Sequence, residues 1–150
     1  MNQRTRIAMS EDEVTALLEG ARKLQLATIN PDGTPHLVTM FYGIDKGRIT
    51  FWTYGKSQKA RNLARDPRVS CLIETGEDYA ELRGVLVYGR VTAMDDAEDV
   101  MAVGMDVARR MTPGVTDELL LPYVEQTGRK RVAYVVEPTK MVSWDHRRLS

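Results

Sequence analysis

Between residues 23 and 54 two tight turns separate three runs of strand-forming residues, and this punctuation limits the fold more than any other feature of the chain. Lys23–Asn30 alternates Leu24, Leu26 and Thr28 against Ala27 and Ile29, the period of two that puts successive side chains on opposite faces of a strand. Asn30-Pro31-Asp32-Gly33 follows, with proline and glycine where a β-turn uses them. A second strand is predicted over Pro35–Ile44, and Asp45-Lys46-Gly47 turns it into a third, Arg48–Tyr54. The expectation is an antiparallel meander.

The flanking segments supply helices and more strands. Residues 1–9 read as a loose arm. Ser10 and Glu13 form a capping box that opens a helix carrying Val14, Leu17 and Leu18 on one face, with Gly20 near its end. Val69–Glu74 is a compact apolar strand, the acidic stretch Thr75–Glu81 a loop, and Leu82–Met94 a long strand. In that strand Val85, Val87 and Gly89 alternate with Leu86 and Tyr88, and the pattern does not say which set is buried. Asp95 or Asp96 caps a helix to about Arg110 with Val100, Val103 and Val107 in one stripe. Thr112-Pro113-Gly114 breaks it, and a second helical piece runs to about Thr127-Gly128. Lys130–Glu137 is a strand, and Pro138 separates it from a last extended segment, Lys140–Ser150. Six or seven hairpin-linked strands with peripheral helices predict one domain over residues 1–150, mainly β with α, curled into a closed or half-closed antiparallel barrel. Closure removes the sheet edges that invite aggregation.

The totals narrow the function. The 21 basic and 21 acidic residues cancel, which argues against a nucleic-acid or membrane-surface binder. No apolar run approaches the ~20 residues that span a bilayer, and the N-terminus lacks the apolar segment of a signal peptide. One cysteine, Cys71, excludes an internal disulfide and fits a reducing cytoplasm; in its apolar strand it reads as a small buried hydrophobe. Two distant histidines and this cysteine have no metal-ligand spacing. Met101, Met105 and Met111 either fill core gaps or line a pocket.

Against that neutral background Phe51–Arg68, FWTYGKSQKARNLARDPR, is locally basic. Trp52 and Thr53 end a strand, Gly55 turns the chain, and Ser57 caps a short helix that stops at Asp66-Pro67. Lys56, Lys59, Arg61, Arg65 and Arg68 surround the start of that helix, with Asp66 the sole acid. Two readings stand. One is a solvated helix face; the other is a seat for a cofactor phosphate at the free N–H groups of the helix.

LATINPDGTPHLV, TYGKSQKARNLARDPRVS and RGVLVYGRV together make the chain resemble the split-barrel flavin and deazaflavin oxidoreductases, the superfamily of the pyridoxamine 5′-phosphate oxidases. The likeness runs from about Val14 to Trp144, and SWDHRRL at Ser143–Leu149 points to the actinobacterial branch that uses the deazaflavin coenzyme F420. It implies a six-stranded split β-barrel and a homodimer with a cofactor in each of two clefts between subunits. The cofactor phosphate would sit at Trp52, Thr53, Lys56, Ser57, Gln58, Lys59 and Asn62, with the ring along His36, Val38, Thr39, Met40 and Phe41. Arg83 and Trp144 complete the implied set.

Two departures from the FMN oxidases bear on the cofactor. Gln58-Lys59 replaces an Arg-Lys pair, and Gly84 stands where those enzymes carry a glutamine. Both weaken an FMN assignment, because glutamine cannot replace the bidentate guanidinium fork. Lys56, Arg61, Arg65 and Arg68 are then left for the phospholactyl and polyglutamate tail of F420. The implied reaction is hydride transfer from reduced F420 to a small electron-poor substrate such as an enone, quinone or tetrapyrrole; an FMN enzyme of the same fold and a non-enzymatic F420 carrier are the alternatives. His36 and His146 are the candidate proton donors, neither favoured over a surface role. Tyr42, Tyr79 and Tyr88 read first as packing. Trp144 either covers the ring or closes the barrel.

Overall fold

A computed structural model describes residues 2–149. In chain order the elements are α1 (Gln3–Ile7), α2 (Glu11–Gly20), β1 (Lys23–Ile29), β2 (Pro35–Phe41), β3 (Gly43–Asp45), β4 (Arg48–Tyr54), α3 (Gln58–Arg65), β5 (Arg68–Thr75), β6 (Arg83–Met94), α4 (Ala97–Met111), α5 (Asp117–Gly128) and β7 (Arg131–Asp145). The seven strands form one antiparallel sheet in the order β2-β1-β5-β6-β7-β4-β3. Its two edge strands are consecutive in the chain, joined only through Tyr42. The predicted second strand is therefore broken: its first half pairs with β1 and its second with β4, so the sheet curls until its edges are one residue apart.

Tyr42 is fully buried and its hydroxyl donates to the Leu18 carbonyl near the end of α2. Burial pushes that phenol up to about 12. Arg110 stacks its guanidinium 4.8 Å from the Tyr42 ring and donates to the Glu19 and Ala21 carbonyls at 3.0 and 2.6 Å. Arg22 returns the contact, donating to the Arg110 and Met111 carbonyls at 2.7 and 3.0 Å. Each arginine thus satisfies free carbonyls at the other helix's C-terminus, where a cation is also favoured electrostatically. At the next residue, a Cβ on Gly43 would stand 2.5 Å from an Asp106 carboxylate oxygen, which accepts from the Ile44 amide at 2.7 Å. Only glycine leaves room for α4 to pin β3 this closely.

Two apolar clusters follow from this path. The curled sheet encloses Leu24, Leu26, Phe51, Ile73, Val85, Val87 and Val136, with Leu17 and Leu18 inserted from α2. Outside it, α4 and α5 bury Trp52 and Ala133 against Val103, Val107, Leu120 and Val124. Strand β4 therefore has core on both faces, and its ITFWT run shows no polar alternation. In β6 the set Val85, Val87 and Gly89 faces inward. Met101 and Met105 pack against the outer cluster as filler, while Met111 is exposed.

Three further expectations need correction. The arm at residues 1–9 carries α1, capped by the Asn2 side chain and tied down by Arg6 to the Leu149 carbonyl and by the Met9 amide to Ser143 Oγ; residue 1 lies outside the described residues. Pro138 does not divide the last strand, because a bulge between Tyr88 and Gly89 absorbs it and leaves β7 continuous. The final segment is extended only to Asp145; a 3-10 turn, His146–Arg148, follows, with residue 150 outside the described residues.

Loss of the Tyr42 hydroxyl should leave the Leu18 carbonyl with only a long bond from Arg110, at 3.4 Å. Tyr42→Phe is expected to cost about 1–3 kcal/mol, read as a lower urea midpoint at unchanged m-value. The Cys71 thiol, fully buried, is pushed up to about 12 by desolvation. A thiol-specific disulfide reagent at pH 8 should leave it unmodified in the native protein and label it fully in denaturant.

Candidate functional site

The seat is built at the end of β4. The Gly55 amide donates to the Lys130 carbonyl at 2.9 Å and the Ser57 amide to the Tyr54 carbonyl at 3.0 Å, which folds the chain back sharply. Ser57 caps α3, accepting from the Ala60 amide at 3.2 Å, and its hydroxyl lies 3.3 Å from that of buried Thr53. The amides of Gln58 and Lys59, first in the helix, have no acceptor among the described residues. Such amides carry partial positive charge and favour an anion. Lys59 is half-buried; desolvation first, and then the charge of Arg131, hold its ammonium below the ordinary lysine range. Arg131 lies between two aromatic rings, 4.8 Å from Trp52 and 4.3 Å from Tyr54, and its buried Nε has no partner.

Asn62 holds this arrangement from behind. It is fully buried, donates to Thr28 Oγ1 and Asn30 Oδ1, each at 3.0 Å, and accepts from Gln58 Nε2 at 2.8 Å. Asn62 therefore acts as a positioning residue that locks α3 to β1. Gln58 is also engaged, since its oxygen accepts from Arg61 at 3.0 Å. Of the arginines left for a cofactor tail, only Arg68 has its charge matched by a carboxylate. Arg61 is held by Gln58, Arg65 donates to the Ile29 carbonyl, and Arg68 forms a bidentate pair with Asp66.

The strand expected to face the cofactor divides its side chains. His36 pairs across from Thr28 and is half-buried, with Nδ1 lacking a partner. Val38 and Met40 turn inward onto the barrel core. Thr39 is outside, donating to Gln25 at 2.8 Å, and Phe41 packs on the outer cluster. As an edge strand β2 also presents backbone groups that β1 does not use.

Arg83, Trp144 and His146 gather elsewhere. The Trp144 ring covers Gly84, where a Cβ would come within 2.5 Å of it, and its Nε1 donates to Glu74 at 2.9 Å. His146 Nδ1 lies 2.8 Å from the Tyr79 carbonyl and its ring 4.5 Å from the Tyr79 ring. Arg83 turns the other way, lining a cavity of about 420 Å³ with Glu13, Thr75 and Arg147. Arg131 and Trp144 stand at opposite ends of β7, roughly 40 Å apart along the strand at about 3.3 Å per residue. Within one chain the seat and the Trp144 group do not meet.

Sequence reasoning missed Arg131 as a site residue. It opens an ordinary strand, and only the pairing of Tyr54 with Arg131 brings it beside the seat. Among the described residues no cluster of three His, Cys, Asp or Glu could hold a metal, and no helix is long and apolar enough to cross a membrane.

Comparison with known proteins fits this architecture. A pyridoxine/pyridoxamine 5′-phosphate oxidase from Cupriavidus taiwanensis is 36% identical over 90 residues, 59% of this chain but 41% of the relative, so the chain spans less than half that enzyme's length. Among solved structures, the conserved hypothetical protein Rv2991 from Mycobacterium tuberculosis superposes with a TM-score of 0.91 at 44% identity, covering 99% of this chain and 92% of that one. A structure described as an F420 reductase superposes with a TM-score of 0.67 at 28% identity, covering 84% and 93%. The family model for pyridoxamine 5′-phosphate oxidase matches residues 10–145. The chain, a mainly β split barrel with peripheral helices, belongs to the pyridoxamine 5′-phosphate oxidase family.

Proposed function

We propose that this oxidoreductase-family protein binds F420 and uses its reduced form on a small electron-poor substrate. The observation that carries the reading is the seat at the start of α3, where two free amides, two hydroxyls and Lys59 converge with no acid among them. That donor set suits a phosphate. The FMN alternative fits less well: Gln58 spends both ends of its amide on Asn62 and Arg61, and the space above Gly84 is filled by Trp144. The 28% identical F420 reductase supports the same choice.

The family's bound cofactor supplies hydride-transfer chemistry. This chain's own residues bind and orient. Lys59 and the amides of Gln58 and Lys59 hold the phosphate, Asn62 keeps their helix in place, and the open edge of β2 offers backbone groups to a planar ring. His36 stands one strand pairing from Asn62's partner Thr28 and is the nearer candidate proton donor.

The position of Trp144 and His146 argues for a homodimer, because these residues reach a seat only from a second subunit. The outer sheet face is suited to covering. Leu72, Leu86 and Val142 pair directly across β5, β6 and β7, and on the same face stand Leu37, exposed at 67%, and Tyr88, at 40%. Sedimentation should give twice the chain mass, and Leu37→Arg should shift it to the monomer.

Fluorescence titration at fixed ionic strength should show F420 bound more tightly than FMN. Lys59→Ala is expected to weaken F420 about 10- to 100-fold, the range of one charge-assisted bond. Because the folded protein holds Lys59 below its usual 10.5, the ammonium is lost earlier as pH rises. Affinity should therefore decline with rising pH earlier than an ordinary lysine would give. Preference for FMN would overturn the cofactor assignment. Tight F420 binding without turnover of enones or quinones would make the protein a carrier.

A further inference from the structure

Next to the phosphate seat, and sharing Arg131 with it, is a cleft. It measures about 1150 Å³ and lies between the second half of α5 and the paired ends of β4 and β7. Lys56, Arg129, Lys130 and Arg131 line it, Tyr54 and Tyr123 stand in its walls, and none of its lining residues is acidic. Both tyrosines are large exposed aromatics, at 49% and 43%.

The cations here line one cleft with no carboxylate among its walls, whereas several arginines elsewhere are matched. Arg48, Arg68, Arg109, Arg147 and Arg148 each pair with a carboxylate. Arg22, Arg65 and Arg110 are spent on backbone carbonyls. Among the described residues none of the four cleft cations has an ion-pair partner. The negative end of α5 accounts for Arg129 and Lys130, but Lys56 and Arg131 are not on that helix. Arg131 is held rigidly between Trp52 and Tyr54 with its Nε buried and unpartnered, a preorganised guanidinium ready for a carboxylate or phosphate. Clustered like charges in a chain of zero net charge oppose folding and are relieved by an anion.

We propose that this cleft is a second anion subsite, which takes a small molecule or part of one bearing several carboxylate or phosphate groups. Arg131 and Lys130 anchor the charges, Arg129 and Lys56 extend the path, and the tyrosine faces cover the carbon skeleton between them. The subsite stands independently of the F420 reading. Two sources share its chemistry: a polycarboxylate tail on a cofactor seated at α3, or a separate polyanionic substrate.

Tripolyphosphate titrated calorimetrically into the full chain at 150 mM salt tests the subsite directly. One saturable site is expected, weakened at least tenfold in Arg129→Ala/Lys130→Ala and unchanged in Arg61→Ala/Arg65→Ala. Circular dichroism and the urea midpoint verify that each variant is folded. No saturable binding would overturn the proposal, as would binding that Lys59→Ala weakens and the cleft variant does not. The source is read by titrating F420 with its glutamates present and removed. A tail-dependent gain in affinity that the cleft variant abolishes identifies the cofactor tail, and equal affinity identifies a separate polyanion. If tripolyphosphate binds in the cleft but F420 does not bind at all, the subsite stands and the cofactor assignment fails.

Discussion

The whole arrangement depends on one chain passage crossing between the two edges of a sheet. Residues 35–45 begin paired to β1 and end paired to β4, and Tyr42 is the residue at which the change is made. Its ring and hydroxyl are buried where α2 and α4 end, under the Arg110 guanidinium. A bend in mid-strand breaks ladder hydrogen bonds. Here the loss is offset by the Tyr42 hydroxyl, the Asp106 carboxylate and two arginines that cap each other's helices. The same bend puts β4 against α4 and α5, which is why Trp52 is buried on the outside of the barrel and available to support Arg131.

The basic residues then divide by task. Arginines in the DPR turn and around α2 and α4 bind carboxylates or backbone carbonyls and hold the fold together. Lys56, Lys59, Arg129, Lys130 and Arg131 lie together at one end of β4 and β7, beside a helix start held by Asn62. Nothing in composition forces this division, since the totals cancel. It arises because Arg68 has Asp66 two residues away and Arg65 reaches a carbonyl of β1, whereas the pairing of Tyr54 with Arg131 brings a second cation near Lys59. A cluster of cations thus stands at one end of β7, and the Trp144–Tyr79–His146 group at the other.

Where structure and sequence agree, the signals were local. The Ser10–Glu13 capping box, the Ser57 cap, the turn at Asn30–Gly33 and the alternation of β1 all depend on residues within one turn of each other, and all are present. The helix break at Thr112-Pro113-Gly114 is equally local. Where they differ, a distant contact decided. Pro138 reads as a strand end until the bulge opposite Gly89 accommodates it, and the N-terminal arm reads as loose until Ser143 and Leu149 hold it.

By itself the sequence determined most of the strands and helices, the family likeness and the basic, Ser57-capped turn before α3, because periodicity, caps and turn chemistry act over a few residues. Tertiary structure alone decided which cations are free. It matched Arg68 to Asp66, engaged Arg61 and Arg65 with neutral acceptors, tied the buried Asn62 to Thr28, Asn30 and Gln58, and brought Arg131 from a strand 78 positions after Thr53 beside the turn. The reason is physical: a cation's availability depends on what lies within about 4 Å of it, and in a curled sheet those neighbours come from strand pairing across the whole chain.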